Sequence, residues 1–586
     1  MNYSNQQPVD RANKLDVPEL SGRRRFLLAC FMLAMVGLIW RAVSLQILDN
    51  DFLQDKGRAV HLRDIKVPAY RGKILDRDGN AMAVSAPVSS VWVNPQVLDL
   101  AEKRADLTKL LGLPKKVLDK KFSKKNGKRF VYLRRRIDPR LAAQIDALRI
   151  PGIYLQKEYR RYYPDGEVTA HLIGFTNIDD QGLEGLELLF NDKLNGEQGV
   201  ERIIRDGKRR MVEHVDNIRS PIPGEDISLS IDRRLQYLAY RELKLAVAQQ
   251  NAVSGSLVLM NSETGEVLAV ANQPAFNPND LSKLKRGQAR NRAFVDVFEP
   301  GSTMKPFTVV AGMESGMFDS STMIDTAPGY MKVGRSQVRD HRNYGEIDLA
   351  TLLLKSSNVA SSKIALTIPA EGYWGLLRKL GFGQSANSQF PGEARGRLAA
   401  YEGWKPIERA TLSFGYGLSS SVLQLAHAYC GLANNGVLHP VKLIRSEDSQ
   451  SHGERIMRED VAVKVREMLE AVVSVKGTAP RARVEGYTVA GKTGTVKKAI
   501  RGGYSDDKYL GIFAGMAPAK NPKLVLVVMI DEPRAGDYYG GLVAAPVFSR
   551  VMSGALRILN IAPDNVLPLP VLTSVKAQQL ASQEVL

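Results

Sequence analysis

The apolar run FLLACFMLAMVGLIW covers Phe26 to Trp40 without a charge, and after Arg41 the pattern resumes as AVSLQIL to Leu48. A helix over 26–48 would be roughly 34 Å long at ~1.5 Å per residue, enough to cross a ~30 Å hydrocarbon core. Arg41, near its outer end, can snorkel to the interface. Arg23, Arg24 and Arg25 precede the run, with Arg11 and Lys14 upstream. Positive flanks stay cytoplasmic, so residues 1–25 read as a basic cytoplasmic tail, 26–48 as an anchor and the remainder as exported. The competing reading is a cleaved signal peptide ending near Ala42 and Ser44, which form a poor small-residue cleavage site. Both readings export everything after about residue 50.

Beyond the anchor, residues 49–222 are rich in charge and in short strand signals. Arg71 to Gly79 (RGKILDRDG) reads as a strand followed by an Asp-Gly turn. Segment 102–147 is basic, with leucines at helical spacing, and predicts helix. Arg161-Tyr162-Tyr163-Pro164 and Gly182-Leu183-Glu184-Gly185 read as turn chemistry and packing, because neither brings a nucleophile beside a base. Ser220-Pro221-Ile222-Pro223-Gly224 breaks the pattern and marks a boundary. Asp232 to Gln249 then has helical periodicity, and SGSLVLMNSETGEVLAVAN forms a hairpin around Thr264-Gly265-Glu266. Leu510 to Ala514 and Leu524 to Ile530 are further strands. Strands at both ends of 223–563 with helices between them predict an α+β domain, an antiparallel sheet packed on helices. The tail 564–586, rich in Pro, Ser and Gln, reads as loose.

With 586 residues, 44% hydrophobic and 24% charged, the chain is a folded protein of about three units rather than a disordered one. Its formal charge of +19 is compatible with a scattered basic surface, an anionic lipid or an anionic polymer. No zinc-finger spacing or basic-aromatic motif supports a nucleic-acid partner. Cys30 lies in the apolar run, out of reach of Cys430, so no disulfide is expected. The seven histidines are dispersed, which predicts neither a metal site nor a cofactor.

Three short motifs carry chemistry. In Ser302-Thr303-Met304-Lys305, Pro300-Gly301 breaks the chain and Ser302 suits a helix N-cap or first turn. Residues three apart share a helix face, so Lys305 can reach the Ser302 hydroxyl. A serine is a weak nucleophile until a base takes its proton, and a lysine can do so if burial and a second cation lower its pKa. In Ser356-Ser357-Asn358, a loop between two helical segments can aim a hydroxyl and an amide into a cleft, although an ordinary helix cap is equally compatible. In Lys492-Thr493-Gly494-Thr495, alternating β-branched residues predict a strand, and Gly494 lets a ligand backbone approach. Each motif is weak alone: Ser282-Lys283-Leu284-Lys285 and Ser385-Ala386-Asn387 are decoys of the first two. Gly486 to Thr493 also fits G-x-x-x-x-G-K-[ST], but the polar residues before it and Gly494-Thr495-Val496 after it do not make the strand–loop–helix that a phosphate loop needs.

The ordered set STMK, SSN and KTG resembles the penicillin-binding protein and serine β-lactamase superfamily. RGKILDRDG, RRYYPDGEVTAHLIGFTN, GLEGLE, DVFEPGSTMKP, KSSNVASSKIA and YYGGLVAAPVFS are similar to class B penicillin-binding proteins, above all the division-specific member of Gram-negative bacteria. The resemblance implies a transmembrane helix, an elongated pedestal over 49–222 and a transpeptidase domain over 223–563. It implies Ser302 as acylated nucleophile, Lys305 as its base, Ser356 as proton relay and Asn358 as orienter. Lys492, Thr493, Gly494 and Thr495 would bind substrate, the N–H groups of Ser302 and Thr495 would form the oxyanion hole, and Tyr416 would line the cleft. Implied partners are peptidoglycan stem peptides (a D-Ala-D-Ala donor and an amine acceptor), β-lactams, the membrane, the polytopic glycosyltransferase FtsW and other division proteins. A D,D-carboxypeptidase or β-lactamase of the same superfamily is the alternative, and a non-catalytic sensor the third reading. Two departures bear on pocket shape: Met304 stands where the family often has Val, and Ser420-Ser421 where it usually carries Val-Thr.

Overall fold

The computed structural model describes residues 21–48, 50–51, 62–123, 127–205, 211–445, 452–500 and 502–565. Most of the expected cytoplasmic tail (1–20) and most of the expected loose tail (566–586) lie outside the described residues. The chain forms two compact units, one running to Val67 and including Gln198–Pro221, the other made of Pro68–Glu197 and Ile222 onward.

In the first unit the apolar run is a single helix, Ser21–Val43, that continues as a wider π-type turn over Ser44–Leu48. It is apolar and long enough to cross a membrane, and none of it is buried against protein. The rest of this unit is an antiparallel three-stranded sheet in which Leu62–Val67 pairs with Gly199–Arg205, and that strand with Met211–Arg219.

In the second unit, residues 68–197 make a sheet around the long strand Ala81–Val93, which pairs with Val131–Ile137 on one side and Ile153–Tyr162 on the other. The strand Val131–Ile137 corrects the helical reading of 102–147, where, among the described residues, only Arg104–Leu111, Lys115–Phe122 and Pro139–Ala147 are α-helical. In VYLRRRI only Leu133 and Ile137 are buried, and three successive arginines hide the two-residue period. Arg71 and Arg161, from two of the motifs of 49–222, meet Glu187, two residues past Gly185, in the interior. Glu187 accepts from Arg71 Nε at 2.8 Å and from Arg161 Nε at 2.6 Å, and none of the three is more than 4% exposed. Asn195 Oδ1 and the Asp180 and Gly72 carbonyls take further guanidinium protons. Glu187→Ala would strand two buried cations, so we expect a loss of about 3–5 kcal/mol in urea unfolding. A change below about 1 kcal/mol would contradict a structural role for this cluster.

The larger part of this unit is a five-stranded antiparallel sheet. Its order is Val267–Gln273, Ser254–Asn261, Leu524–Asp531, Gly503–Ala517, Ala490–Ile500. The early hairpin therefore pairs with a late strand, Leu257 opposite Val528. Arg233–Gln249 and Ala545–Ile558 pack on each other and on the sheet, as do Val422–Ala433 and Glu459–Val473 elsewhere on it. Cover by helices explains why LVLVVMI is an unbroken apolar run instead of an alternating one: all seven residues are buried. Asp232 caps its helix by accepting from the N–H groups of Arg234 and Leu235.

Candidate active site

Lys305 opens the buried helix Lys305–Glu314, and Ser302 sits just before it in a 3₁₀ turn, Gly301–Met304, rather than at a helix N-cap. Gly301 enters this turn at φ +59°, a conformation that favours glycine. Lys305 Nζ lies 3.1 Å from Ser302 Oγ. The expected one-turn reach of the lysine to the serine is thus present.

The apolar helix Leu349–Lys355 ends at Ser356, which takes the left-handed conformation with φ 58° and ψ 46°. Backbone strain of this kind is held by its surroundings and gathers at functional sites. Here it brings Ser356 Oγ to 3.0 Å from both Lys305 Nζ and Lys492 Nζ. Ser357, not Ser356, caps the next helix, Asn358–Thr367. Asn358 Oδ1 accepts from Lys305 at 2.7 Å, and the Ser356 carbonyl accepts at 2.6 Å.

Lys492 stands on the edge strand Ala490–Ile500. A methyl group added to Gly494 would lie 3.0 Å from Pro300 O and 3.1 Å from Thr303 Cγ2, so glycine permits the strand to run against the Ser302 turn. Thr493 Oγ1 meets Thr478 Oγ1 at 3.1 Å, and Thr495 Oγ1 accepts from Gly540 N at 3.0 Å. A strand, and no helix, follows Lys492-Thr493, which removes the phosphate-loop reading. The decoys are engaged elsewhere: Ser282 Oγ donates to Asp280 and Ser385 Oγ to Glu393.

Both lysines are fully buried. Burial, and then the Lys492 ammonium, push the Lys305 pKa well below the ordinary lysine range, with Asp340 opposing. Burial pushes Lys492 down to about 7. An ammonium at these positions is costly, and a neutral amine facing Ser302 Oγ can accept its proton.

Two residues escaped the sequence reading. Asp340 accepts from the N–H groups of Asn358 and Val359 and from Ser357 Oγ, an anion fixed at a helix N-terminus. It lies in a polar run, VRDHRNYG, with no periodicity to single it out. Glu299 accepts from Gly417 N at 2.9 Å and Tyr504 Oη at 3.0 Å. Its place three residues before Ser302 was the one available signal. Tyr416 packs edge-on against Phe414 and Tyr504, and burial raises its pKa.

The geometry agrees with comparisons to known proteins. Residues 255–553 match the family model described as penicillin binding protein transpeptidase domain, and 66–229 the penicillin-binding protein dimerisation domain. The probable peptidoglycan D,D-transpeptidase PenA of Neisseria meningitidis is 41% identical, over 93% of this chain and 94% of that protein. Peptidoglycan D,D-transpeptidase FtsI of Escherichia coli is 41% identical over 93% of each chain. The solved transpeptidase domain of Burkholderia pseudomallei penicillin-binding protein 3 is 41% identical, with a TM-score of 0.53, covering 57% of this chain and 97% of that one. With both domain types matched along one chain and the serine, lysine and asparagine groups drawn together, the chain belongs to the class B penicillin-binding proteins.

Proposed function

We propose that this chain is a serine D-Ala-D-Ala transpeptidase that cross-links peptidoglycan stem peptides and is inactivated by β-lactams. The observation that carries this reading is the joining of Ser302, Lys305, Ser356, Asn358 and Lys492 in one hydrogen-bonded network, through Lys305 and Ser356. Ser302 Oγ attacks the carbonyl of the penultimate D-Ala while Lys305 takes its proton. The N–H groups of Ser302 and Thr495 hold the oxyanion. Ser356 Oγ, bonded to both lysines, passes a proton to the departing D-Ala amine. Asn358 keeps Lys305 aimed. Lys492, Thr493, Gly494 and Thr495 hold the substrate strand and its terminal carboxylate, with Tyr416 beside them. An amine from a neighbouring stem then attacks the acyl-serine, returning the hydroxyl to Ser302 and leaving the cross-link. A β-lactam enters the same first step, and its ring opens without a departing group.

On this reading, residues 49–222 are the pedestal and 223–563 the catalytic domain. Arg23, Arg24 and Arg25 hold the N-terminus in the cytoplasm, so the catalytic domain is periplasmic. Likeness to FtsI supports a septal role, with FtsW and other division proteins as partners.

Mapping the adduct tests the reading. The detergent-solubilised full chain is incubated with fluorescent penicillin, digested and sequenced by mass spectrometry. The peptide bearing Ser302 should carry the intact opened β-lactam and keep it for hours. Label on another residue, or none, would refute the nucleophile. Loss within seconds would point to a hydrolase.

A further inference from the structure

Residues 103–136 hold fourteen Lys and Arg against Asp106 and Asp119, a formal +12 of the chain's +19 within 34 residues. Several of these charges are used internally. Arg104 pairs with Asp119, Lys103 donates to Leu148 O, Arg134 to Leu111 O, and Arg135 and Arg136 pair with Glu158, Asp179 and Asp180. Lys109, Lys115, Lys116, Lys120, Lys128 and Arg129 are exposed, and no carboxylate among the described residues lies within ion-pair distance of them. Crowded like charges repel and cost stability, so an external counter-charge would be favourable here.

An aromatic surface adjoins them. Val91, Val93 and Leu133 face a local core with Leu107, Leu111 and Leu118. Side chains alternate along a strand, so Trp92 turns to the other face. There Tyr132, Trp92 and Tyr154 lie directly opposite one another across three strands. The Trp92 and Tyr154 rings stack at 4.4 Å, Phe130 lies 4.7 Å from Trp92, and Phe130 is 46% exposed. Lys121, on the helix Lys115–Phe122, donates to the carbonyls of Tyr132 and Leu133. The lysines of that helix and the ring stack thus lie on opposite faces of the sheet and meet along the same edge strand, Val131–Ile137.

We propose that this lobe is a non-catalytic docking surface for the peptidoglycan strand, its rings taking sugar faces and its ammonium groups taking stem carboxylates. The inference rests on the peptidoglycan reading above. Flat stacked rings beside hydrogen-bonding groups suit a pyranose, which has both apolar faces and hydroxyl edges; Tyr132 Oη is 3.2 Å from Gln156 Oε1. Five of the six exposed cations are lysines, point charges without the planar fork of arginine. Such a set suits carboxylates repeated along a mobile strand rather than one rigid acidic site.

The test is co-sedimentation of the full chain, in detergent micelles, with purified insoluble peptidoglycan sacculi. Lys115→Glu/Lys116→Glu/Lys120→Glu should weaken binding about tenfold at about 50 mM salt, and the gap should close near about 0.5 M. Phe130→Ala should weaken it about threefold at both salts, because stacking is not screened. Both variants should keep the wild-type rate of penicillin acylation, which also reports a folded catalytic domain. Unchanged sedimentation of the triple variant would overturn the proposal. So would competition by polyglutamate with no effect of Phe130→Ala, which would assign the surface to an acidic protein segment. If penicillin labels nothing while sedimentation follows the variants, the docking surface stands and the transpeptidase reading falls.

Discussion

Lys305→Met is expected to slow acylation by penicillin about 10³–10⁴-fold, the upper part of the range for loss of a positioned general base. Lys305 Nζ touches Ser302 Oγ, Ser356 Oγ and Asn358 Oδ1, and no other base touches Ser302 Oγ among the described residues. Methionine keeps the apolar stem in a fully buried slot and removes only the amine. The loss corresponds to about 4–5 kcal/mol at the transition state. Lys305→Arg should be as inactive, because a guanidinium does not give up its proton. The check is the second-order acylation rate by stopped flow, with circular dichroism to show the fold. A rate within tenfold of wild type would move the base to another group.

Lys492→Met should produce two opposite effects. Acylation by a carboxylate-bearing β-lactam should fall about 10²–10³-fold, as a buried donor to the substrate is lost. Stability should rise. The folded pKa of Lys492 is about 7, against about 10.4 for a lysine in an unfolded chain. Below pH 7 both states hold the proton, and the folded state bears the whole burial penalty, roughly 3–5 kcal/mol. From pH 7 to about 10.4 the folded lysine is neutral, and the penalty shrinks as pH rises. The variant should therefore gain most at pH 6 and little near pH 10, read as urea midpoints. The Lys492 ammonium also lowers the Lys305 pKa. Its removal should raise that pKa and move the acidic limb of the acylation profile to higher pH. A variant no more stable at pH 6 than at pH 9, relative to wild type, would mean that Lys492 is not held at a cost.

The two effects together describe how this site is built. Two ammonium groups around one hydroxyl disfavour each other's charge, and burial disfavours both. The reward is an amine able to act as a base near neutral pH. Asp340 counters part of this from the N-terminus of the Asn358 helix, bonded to that helix rather than to either lysine. Such a site trades stability for reactivity, as active sites commonly do.

Much of this was readable along the chain because it depends on local relations. The anchor is a long apolar stretch broken only by Arg41. Ser302 and Lys305 meet because three residues make about one turn. The hairpin of 254–273 follows from turn chemistry, and the helix after Asp232 from its apolar periodicity. Where three successive arginines occupied both faces of a strand, as in Val131–Ile137, the period was lost and a helix was expected instead.

Other features belong to tertiary structure alone. Glu187 is drawn between Arg71 and Arg161, residues 116 and 26 positions away, by the need of buried cations for a counter-charge. The left-handed turn at Ser356, the approach of Lys492 across 136 residues and the seat of Asp340 have no local signature. Sequence alone determined which side chains could do the chemistry; long-range packing decided their distances and their protons, because desolvation exists only once distant segments have closed over a group.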